Sequence, residues 1–294
     1  MQQFFALLLT SLVLARNLPT VVWHGLGDSA DSEGIVSLLD ILSNHTSSPS
    51  HAISTGPRDS SFIGNINNQL AQQCEILKAN PDLKDGFNAI GFSQGGQFLR
   101  AYIERCNDPP IKSLMTWGSQ HAGIVQVPCQ QETSPLCQSS RFVVRSNAFS
   151  SFVQNRIIPA QYYKGNDLEA YLQGSIFLAD INNERALKNK TYISNLASLH
   201  NFVMIMFEDD ITVIPKQSSL FQDVDANGIV TPVQNTTYYD NLGLRALDNR
   251  KALISITVQG GHMQIDETQL LDFVDKYFTQ EKINIDSERT RHGL

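Results

Sequence analysis

Residues 87–96, FNAIGFSQGG, decide the fold of this chain. The apolar segment 87–90 predicts a buried strand, and a helical pattern with its apolar side inward follows from residue 98. Between them, GFSQG matches G-x-S-x-G, in which a sharp turn from strand to helix presents a serine hydroxyl above the sheet. The alternative is a glycine-rich turn without any chemistry. The flanking elements favour the first interpretation, which makes Ser93 a candidate nucleophile.

Strand and helix patterns alternate at both ends of the chain. Short apolar or β-branched strands are predicted at 20–23, 114–117, 202–207 and 253–258. Helices with apolar residues spaced by three or four are predicted at 35–42, 62–77 and 270–278. Continuous apolar runs are typical of parallel strands buried on both faces. The pattern therefore predicts an α/β fold with a mostly parallel central sheet, the architecture of the α/β-hydrolases.

A serine hydroxyl needs a base to take its proton, and histidine suits that role near neutral pH. His121, His200 and His262 follow Ser93 at a useful distance. In α/β-hydrolases the order along the chain is serine, acid, histidine. His262 stands in a glycine-rich loop directly after the predicted strand 253–258. His121 suits a structural hydrogen bond and His200 a surface or capping position, so we predict His262 as the base.

The acid that orients the histidine is expected after the predicted strand 202–207. Glu208, Asp209 and Asp210 follow one another there. Carboxylates beyond a strand end are often only solvated, and three adjacent ones suit that alternative. One of them should still hold the imidazole and stabilise its charged form. We predict Asp210 for this role, with Asp209 second and Glu208 third.

Backbone donors for an oxyanion are expected on both sides of the serine. The first predicted strand ends in HGLG at 24–27, whose glycines let backbone N–H groups point at a ligand. We predict the N–H groups of Leu26 and Gln94 as the two donors. The alternative for the loop is a plain tight turn between strand and helix.

The domain organisation follows from the ends and the middle of the sequence. An apolar run at 4–15 predicts a secretory signal peptide over residues 1–15, with a buried N-terminal strand as the alternative. Residues 16–280 have the size of one α/β-hydrolase domain, and no transmembrane segment is expected. Residues 122–200 lack long buried strands and predict a largely helical insertion or cap. We expect the polar tail, 281–294, to be disordered.

Composition narrows the range of ligands. The 294 residues carry a net charge of −7, with a pI near 5.5. Nucleic-acid-binding proteins concentrate Lys and Arg, so a nucleic-acid partner is not expected. The four cysteines show no metal-ligand spacing, so we expect neither a metal nor a cofactor. Their even number suits disulfides and leaves the pairing open: Cys74, Cys106, Cys129 and Cys137.

Three sequons provide a further sign of the secretory pathway. Asn44, Asn189 and Asn235 each stand in N-x-T, which predicts glycosylation on the protein surface. Together with the signal peptide and the cysteine count, they indicate an oxidising compartment.

Longer segments of the sequence resemble a known family. They are WHGLGDS at 23–29, GFSQGGQFLR at 91–100, SIFLADINNER at 175–185 and LGL at 242–244. These segments are similar to the lysosomal palmitoyl-protein thioesterases of type 1, and the likeness runs from about residue 19 to residue 278. The resemblance implies removal of fatty acyl chains from S-acylated proteins or peptides, with acyl-CoA as a surrogate substrate. It also implies the lumen of the lysosome or a vacuole, or secretion.

The resemblance carries the family's catalytic residues onto this sequence. It implies Ser93 as nucleophile, Asp210 as acid and His262 as base, and it supports Asp210 over its two acidic neighbours. It places the oxyanion donors at Leu26 and Gln94.

The resemblance also bears on the bridges and on the acyl groove. It implies the disulfides Cys74–Cys106 and Cys129–Cys137, and it makes the insertion a wall of the groove. Animal members carry adjacent cysteines where this chain has SA at 29–30, so a bridge is absent there. Apolar residues of the insertion are candidates for the groove lining, although they equally suit the core: Ile157, Ile158, Phe177 and Ile181.

Two alternative functions stay open at this point. A lipase or carboxylesterase would use the same three side chains, because they do not distinguish a thioester from an oxygen ester. A lipid-binding carrier without catalysis is disfavoured by the complete set of catalytic residue types.

Overall fold

The computed structural model describes residues 17–127 and 135–278. The strands are β1 (Thr20–Trp23), β2 (Ser50–Ala52), β3 (Phe87–Phe92), β4 (Ile111–Trp117), β5 (Asn201–Phe207), β6 (Asp223–Val224), β7 (Val230–Thr231) and β8 (Leu253–Val258). The helices are α1 (Glu33–Thr46), α2 (Ile66–Ala79), α3 (Gln94–Arg105), α4 (Pro135–Asn147), α5 (Ser151–Gln154), α6 (Ile158–Gln161), α7 (Leu168–Gly174), α8 (Leu178–Ile181), α9 (Lys190–Ala197), α10 (Tyr238–Asn241), α11 (Leu244–Asn249) and α12 (Glu267–Phe278). The predicted signal peptide and polar tail lie outside the described residues.

Six of the strands form one parallel sheet in the order β2-β1-β3-β4-β5-β8. Strands β6 and β7 form a separate antiparallel pair. Since all neighbours in the large sheet are parallel, the carboxyl ends of its strands lie at one edge. The segments that follow β1, β3, β5 and β8 therefore meet there, which is where ligands bind in open α/β sheets. The predicted α/β fold with a mostly parallel sheet is confirmed.

Both faces of the sheet are covered, as the alternation of side chains along a strand requires. On one face, Val22 of β1 and Val203 of β5 share an apolar cluster with Leu42 of α1 and Val274 of α12. On the opposite face, the neighbouring strand residues join a cluster with α2, α3 and α9. The long apolar strands of the sequence are explained by this two-sided burial.

The edge strand β8 departs from the prediction of two-sided burial. Ser255 and Thr257 are exposed, and only Val258 among its residues is buried. A strand at the edge of the sheet is covered less completely than β5, whose residues Phe202 to Phe207 are all buried. The short strand β2 was not predicted, because its sequence, SHA, carries no apolar pattern.

The segment between β4 and β5 contains α4 to α9 and no strand of the sheet within the described residues. A disulfide joins Cys74 of α2 to Cys106 after α3, the first of the two pairs that the resemblance implies. Cys137 is buried in α4, while Cys129 lies outside the described residues. None of the helices of the two described ranges is long and apolar enough to cross a membrane.

The three sequon asparagines lie at the surface. Asn44 is exposed in the last turns of α1, and Asn235 is exposed in a short 3₁₀ segment before α10. Asn189 is exposed as the N-cap of α9, where its side chain accepts a hydrogen bond from the Thr191 N–H. All three positions are therefore open to a glycan, and glycosylation stays a prediction.

A buried arginine fixes the helix that follows Ser93. Arg100 of α3 has no exposed surface, and its guanidinium donates to Glu104 Oε1 at 2.7 Å. It also donates to the Ile181 carbonyl at 2.9 Å and to Asn182 Oδ1 at 2.7 Å. The bonds to Ile181 and Asn182 thus tie α3 to the end of α8, while the ion pair with Glu104 lies within α3.

Burial raises the pKa of Glu104 to about 7, although Arg100 lowers it. In the unfolded chain the same carboxyl has its ordinary pKa of 4.5. Between these values the folded protein holds a proton that the unfolded chain releases, so stability falls as pH rises through this window. We expect the free energy of unfolding to decrease by on the order of 3 kcal/mol between about pH 4.5 and about pH 7 through this group.

Denaturant unfolding across that pH range tests this expectation. The profile of Glu104→Gln, which cannot titrate, should be flatter than that of the wild type. Glu75→Gln, a change at an exposed residue of α2, should keep the wild-type slope. Parallel profiles for the wild type and Glu104→Gln would contradict the expectation.

Candidate active site

Ser93 occupies the turn between β3 and α3 in a backbone conformation that few non-glycine residues adopt, with φ 51° and ψ −122°. Two glycines make this turn possible. A Cβ at Gly91 would lie 2.2 Å from the Gly96 Cα, and a Cβ at Gly95 would lie 2.2 Å from the Trp23 carbonyl oxygen. Strand, turn and helix therefore pack too closely for any side chain at these positions. The predicted strand-to-helix turn is confirmed.

The structure brings the three predicted side chains together at the carboxyl edge of the sheet. His262 Nε2 lies 3.1 Å from Ser93 Oγ, and His262 Nδ1 lies 2.7 Å from Asp210 Oδ2. An imidazole that donates from Nδ1 to the carboxylate leaves Nε2 to accept the serine proton. The arrangement can therefore deprotonate Ser93 and stabilise the imidazolium that forms.

Asp210 differs from the two acidic residues before it in the burial of its side chain. The Asp210 side chain is fully buried, while Glu208 and Asp209 are exposed. Asp210 Oδ1 accepts hydrogen bonds from the backbone N–H groups of Thr212 at 2.7 Å and Val213 at 3.0 Å. These two donors fix the carboxylate, which leaves Oδ2 directed at the imidazole.

Two residues that lie next to the His262 ring were not singled out by the sequence analysis. Gly118, after β4, has φ +56°, and a Cβ there would lie 3.0 Å from the His262 ring. Phe207, the last residue of β5, packs edge-on against the same ring with centroids 6.1 Å apart. The sequence offered one sign of this contact, a glycine directly after a predicted strand. Gly118 follows β4 and Phe207 ends β5, and these two strands are neighbours in the sheet.

The other two histidines lie away from this chemistry. His121 is buried, stacks on Phe221 and hydrogen-bonds Thr116 Oγ1 at 3.0 Å. Burial, together with Arg100, holds its pKa well below the ordinary value, so the ring stays neutral. His200 is exposed and precedes β5, at the amino edge of the sheet. Both have the structural positions that the sequence analysis favoured for them.

The predicted oxyanion donors flank Ser93. The loop after β1 passes directly beside it, since a Cβ at Gly25 would lie 3.4 Å from the Ser93 Cβ. Gln94 begins α3, and its side chain is held away by hydrogen bonds with Ser61 and Tyr162. Within the described residues, neither the Leu26 nor the Gln94 N–H donates to another protein group. Both are therefore available to a ligand.

The family model described as palmitoyl protein thioesterase matches residues 19–262. The chain belongs to this family. Palmitoyl-protein thioesterase 1 of Caenorhabditis elegans is 37% identical over 302 residues, which cover 94% of this chain and 99% of that protein. Palmitoyl-protein thioesterase 3 of Dictyostelium discoideum is 32% identical, with 93% and 94% covered. Lysosomal thioesterase PPT2 of Homo sapiens is 30% identical over 60% of this chain and 59% of that protein.

This member of the palmitoyl-protein thioesterase family has a cavity of about 640 Å³ that is lined in part by Ser93 and His262. Besides these two, four polar side chains contribute to its lining: Asp28, Ser37, Thr212 and Glu267. The remaining walls are mainly apolar and include Leu26, Ile35, Leu38, Ile41, Ile265 and Leu270. An apolar cavity with few polar groups beside a nucleophile is suited to a hydrocarbon chain.

The four groove candidates of the insertion do not line this cavity. Ile158, Phe177 and Ile181 are fully buried in the core cluster. Phe177 packs edge-on against Phe98 of α3, with centroids 5.7 Å apart, and Ile157 pairs with Ile63 in a β-bridge. These contacts pack the insertion against α3 and against the segment before α2, and contact of the four residues with an acyl chain stays a prediction.

Metal chemistry has no candidate site in the described part of the chain. No group of three or more His, Cys, Asp or Glu side chains there could hold a metal ion.

Proposed function

We propose that this member of the family removes long-chain fatty acyl groups, such as palmitoyl, from cysteine thioesters of lipid-modified proteins or peptides. The observation that carries the proposal is the chain of contacts from Ser93 to His262 to Asp210, beside a mainly apolar cavity. The names of the similar proteins in C. elegans and D. discoideum support the same substrate class.

The proposed reaction is acyl transfer in two steps. Ser93 Oγ attacks the thioester carbonyl while His262 Nε2 accepts its proton, and the new C–O bond turns the carbonyl into a tetrahedral oxyanion. The oxyanion accepts hydrogen bonds from the Leu26 and Gln94 N–H groups, and each such donor contributes about 3 kcal/mol to transition-state stabilisation. When the oxyanion collapses, the C–S bond breaks and the departing sulfur takes the proton from His262. Water, deprotonated by His262, then attacks the acyl-serine, and collapse of the second oxyanion breaks the bond to Ser93 Oγ. Ser93 Oγ takes the proton back from His262, and the fatty acid is released.

Leaving-group chemistry favours the thioester over an oxygen ester. A thiol has a reference pKa of about 8.5, far below that of an alcohol, so the sulfur leaves with less help from the imidazolium.

We further propose that the protein acts in the lumen of the lysosome or a related vacuole. The predicted secretory signal, the disulfide between Cys74 and Cys106 and the exposed sequons support an oxidising route. The human relative that is named a lysosomal thioesterase supports the same destination.

A matched pair of substrates tests the proposed activity. One peptide would carry S-palmitoyl-cysteine, and the other O-palmitoyl-serine at the same position. We expect kcat/KM for the thioester to exceed that for the oxygen ester by at least about tenfold. Faster cleavage of the oxygen ester would identify a carboxylesterase instead. Binding of both peptides without turnover would identify a carrier.

A further inference from the structure

The segment from α4 to the loop after α6 carries positive charge only. Residues 135–166 contain Arg141, Arg145, Arg156 and Lys164 and no aspartate or glutamate, whereas the whole chain has a net charge of −7. Arg145 and Arg156 are exposed, and no carboxylate of the described residues forms an ion pair with either of them. Their charge therefore faces solvent, where it attracts an anionic partner.

Two phenylalanines of the same segment have most of their side chain exposed. Phe142 of α4 is 73% exposed and Phe152 of α5 is 65% exposed, and no other phenylalanine in the described part of the chain is exposed. The Arg156 guanidinium lies over the Phe152 ring, 4.3 Å from its centroid. Phe142 and Arg145 are three residues apart on α4, so they lie on one side of that helix. Each exposed ring thus has an arginine as its neighbour.

The inward sides of α4 and α5 are already packed. Val144 of α4, Val153 of α5 and Ala148 between the two helices are buried in one apolar cluster. Phe142 and Phe152 lie outside this cluster, so the core of the protein does not use them. Four exposed residues make up what we call the α4–α5 face: Phe142, Arg145, Phe152 and Arg156.

The apolar cluster under the α4–α5 face also reaches the active site. Phe62 is buried in this cluster and lines the cavity beside Ser93, and the Leu26 side chain packs against the same cluster. Directly after α5, the Arg156 carbonyl accepts a hydrogen bond from the Gly64 N–H at 2.8 Å. A partner that binds the α4–α5 face is therefore close to the cavity wall that Phe62 forms.

We propose that the α4–α5 face docks on the surface of an anionic lipid membrane. The cations of residues 135–166 match the negative headgroups, and the two phenylalanine rings enter the boundary between headgroups and acyl chains. Rings that are paired with arginines fit a layer that is charged at its surface and apolar just below it. Docking brings the active site to the place where a membrane holds the acyl chain of an S-acylated protein, as the proposed function requires, while the docking itself does not depend on that function.

Vesicle flotation tests the docking. We would compare vesicles of phosphatidylcholine alone with vesicles that also contain phosphatidylglycerol. The wild type should bind the anionic vesicles and lose this binding at high salt, because salt screens exposed charges. Arg145→Gln combined with Arg156→Gln should weaken the binding by about tenfold. Phe142→Ser combined with Phe152→Ser should weaken it by about the same factor.

Two variants outside the α4–α5 face are matched controls. Lys84→Gln removes an exposed cation before β3, at the amino edge of the sheet, and Leu187→Ser removes an apolar side chain that is 91% exposed. Both should bind anionic vesicles as the wild type does. Equal binding to neutral and anionic vesicles, no vesicle binding by the wild type, or wild-type binding by both face variants would overturn the proposal. Binding of polyglutamate in preference to anionic vesicles would also overturn it and would indicate an acidic protein as the partner.

A second readout separates the docking from the proposed function. The rate of cleavage of an S-palmitoyl peptide in anionic vesicles would be compared with that of butyryl-CoA in solution. Both face variants should lower the first rate by about tenfold and leave the second unchanged. Equal losses on the two substrates would place the effect in the active site and contradict the docking. If the wild type cleaves neither substrate, the proposed function fails, while the flotation result still decides the docking.

Discussion

Ser93→Ala is expected to abolish hydrolysis of palmitoyl thioesters. The variant lacks the only atom that can form the acyl-enzyme, and His262 and Asp210 cannot replace it. In serine hydrolases, loss of the nucleophile lowers kcat by about 10⁶-fold. Alanine fits the same backbone turn, because the strain at φ 51° is already carried by a non-glycine residue. The fold and the binding of the acyl chain should therefore persist.

The measurement is the rate of palmitoyl-CoA hydrolysis by the wild type and by Ser93→Ala, with circular dichroism to show that both are folded. Ser255→Ala, at an exposed residue of β8, serves as the control and should keep full activity. Retention of more than about a hundredth of the wild-type rate in folded Ser93→Ala would rule out Ser93 as nucleophile.

Asp210→Asn is expected to lower kcat by about 10⁴-fold while the substrate still binds. An amide at this position would still accept from the Thr212 and Val213 N–H groups, and its NH₂ would then face His262 Nδ1. The ring would have to accept there and carry its proton on Nε2. That tautomer cannot take the proton from Ser93.

Asp209→Asn provides a matched control one residue away. Asp209 is exposed, and the contact that places it, from its backbone N–H to the Gly260 carbonyl, does not involve the side chain. Steady-state kinetics should show a large loss for Asp210→Asn and little change for Asp209→Asn. Equal losses of activity in the two variants, or a larger loss in Asp209→Asn, would show that the acid had been assigned to the wrong residue.

The local parts of the site could be predicted from the sequence because short segments determine them. The pattern at 91–95 fixes a turn that only glycines beside the serine permit. His262 could be chosen because parallel strands deliver the loops that follow them to one edge, and it follows β8 directly. The order of serine, acid and histidine along the chain, together with the end of the predicted strand 202–207, then restricted the acid to three neighbours.

The residue types alone could not decide which of those three neighbours is the acid. Glu208, Asp209 and Asp210 are chemically alike, and only the turn after β5 buries the last of them beside His262. We ranked Asp210 first from its position in the sequence, and the resemblance to a family supported that choice. The two backbone donors that hold its carboxylate could not be predicted from residue types.

The cavity beside Ser93 is lined by residues that the sequence did not single out for an acyl groove. Apolar residues such as Phe177 and Ile181 suit a groove and a core equally well, and the structure uses them as core. The cavity depends on how α1 and α12, far apart in sequence, pack across one face of the sheet. Leu38 could be recognised as apolar and helical, whereas its contact with the cavity follows only from that packing.

The most direct test of Ser93 as the acylated residue is to trap the intermediate. Wild-type protein would be mixed with an S-palmitoyl peptide, quenched with acid during the first turnover, digested and analysed by mass spectrometry. We predict a palmitoyl group esterified to the peptide that contains Ser93, and none in Ser93→Ala. Turnover of the thioester with the palmitoyl group on a different residue, or with no covalent adduct at any time, would contradict the assignment.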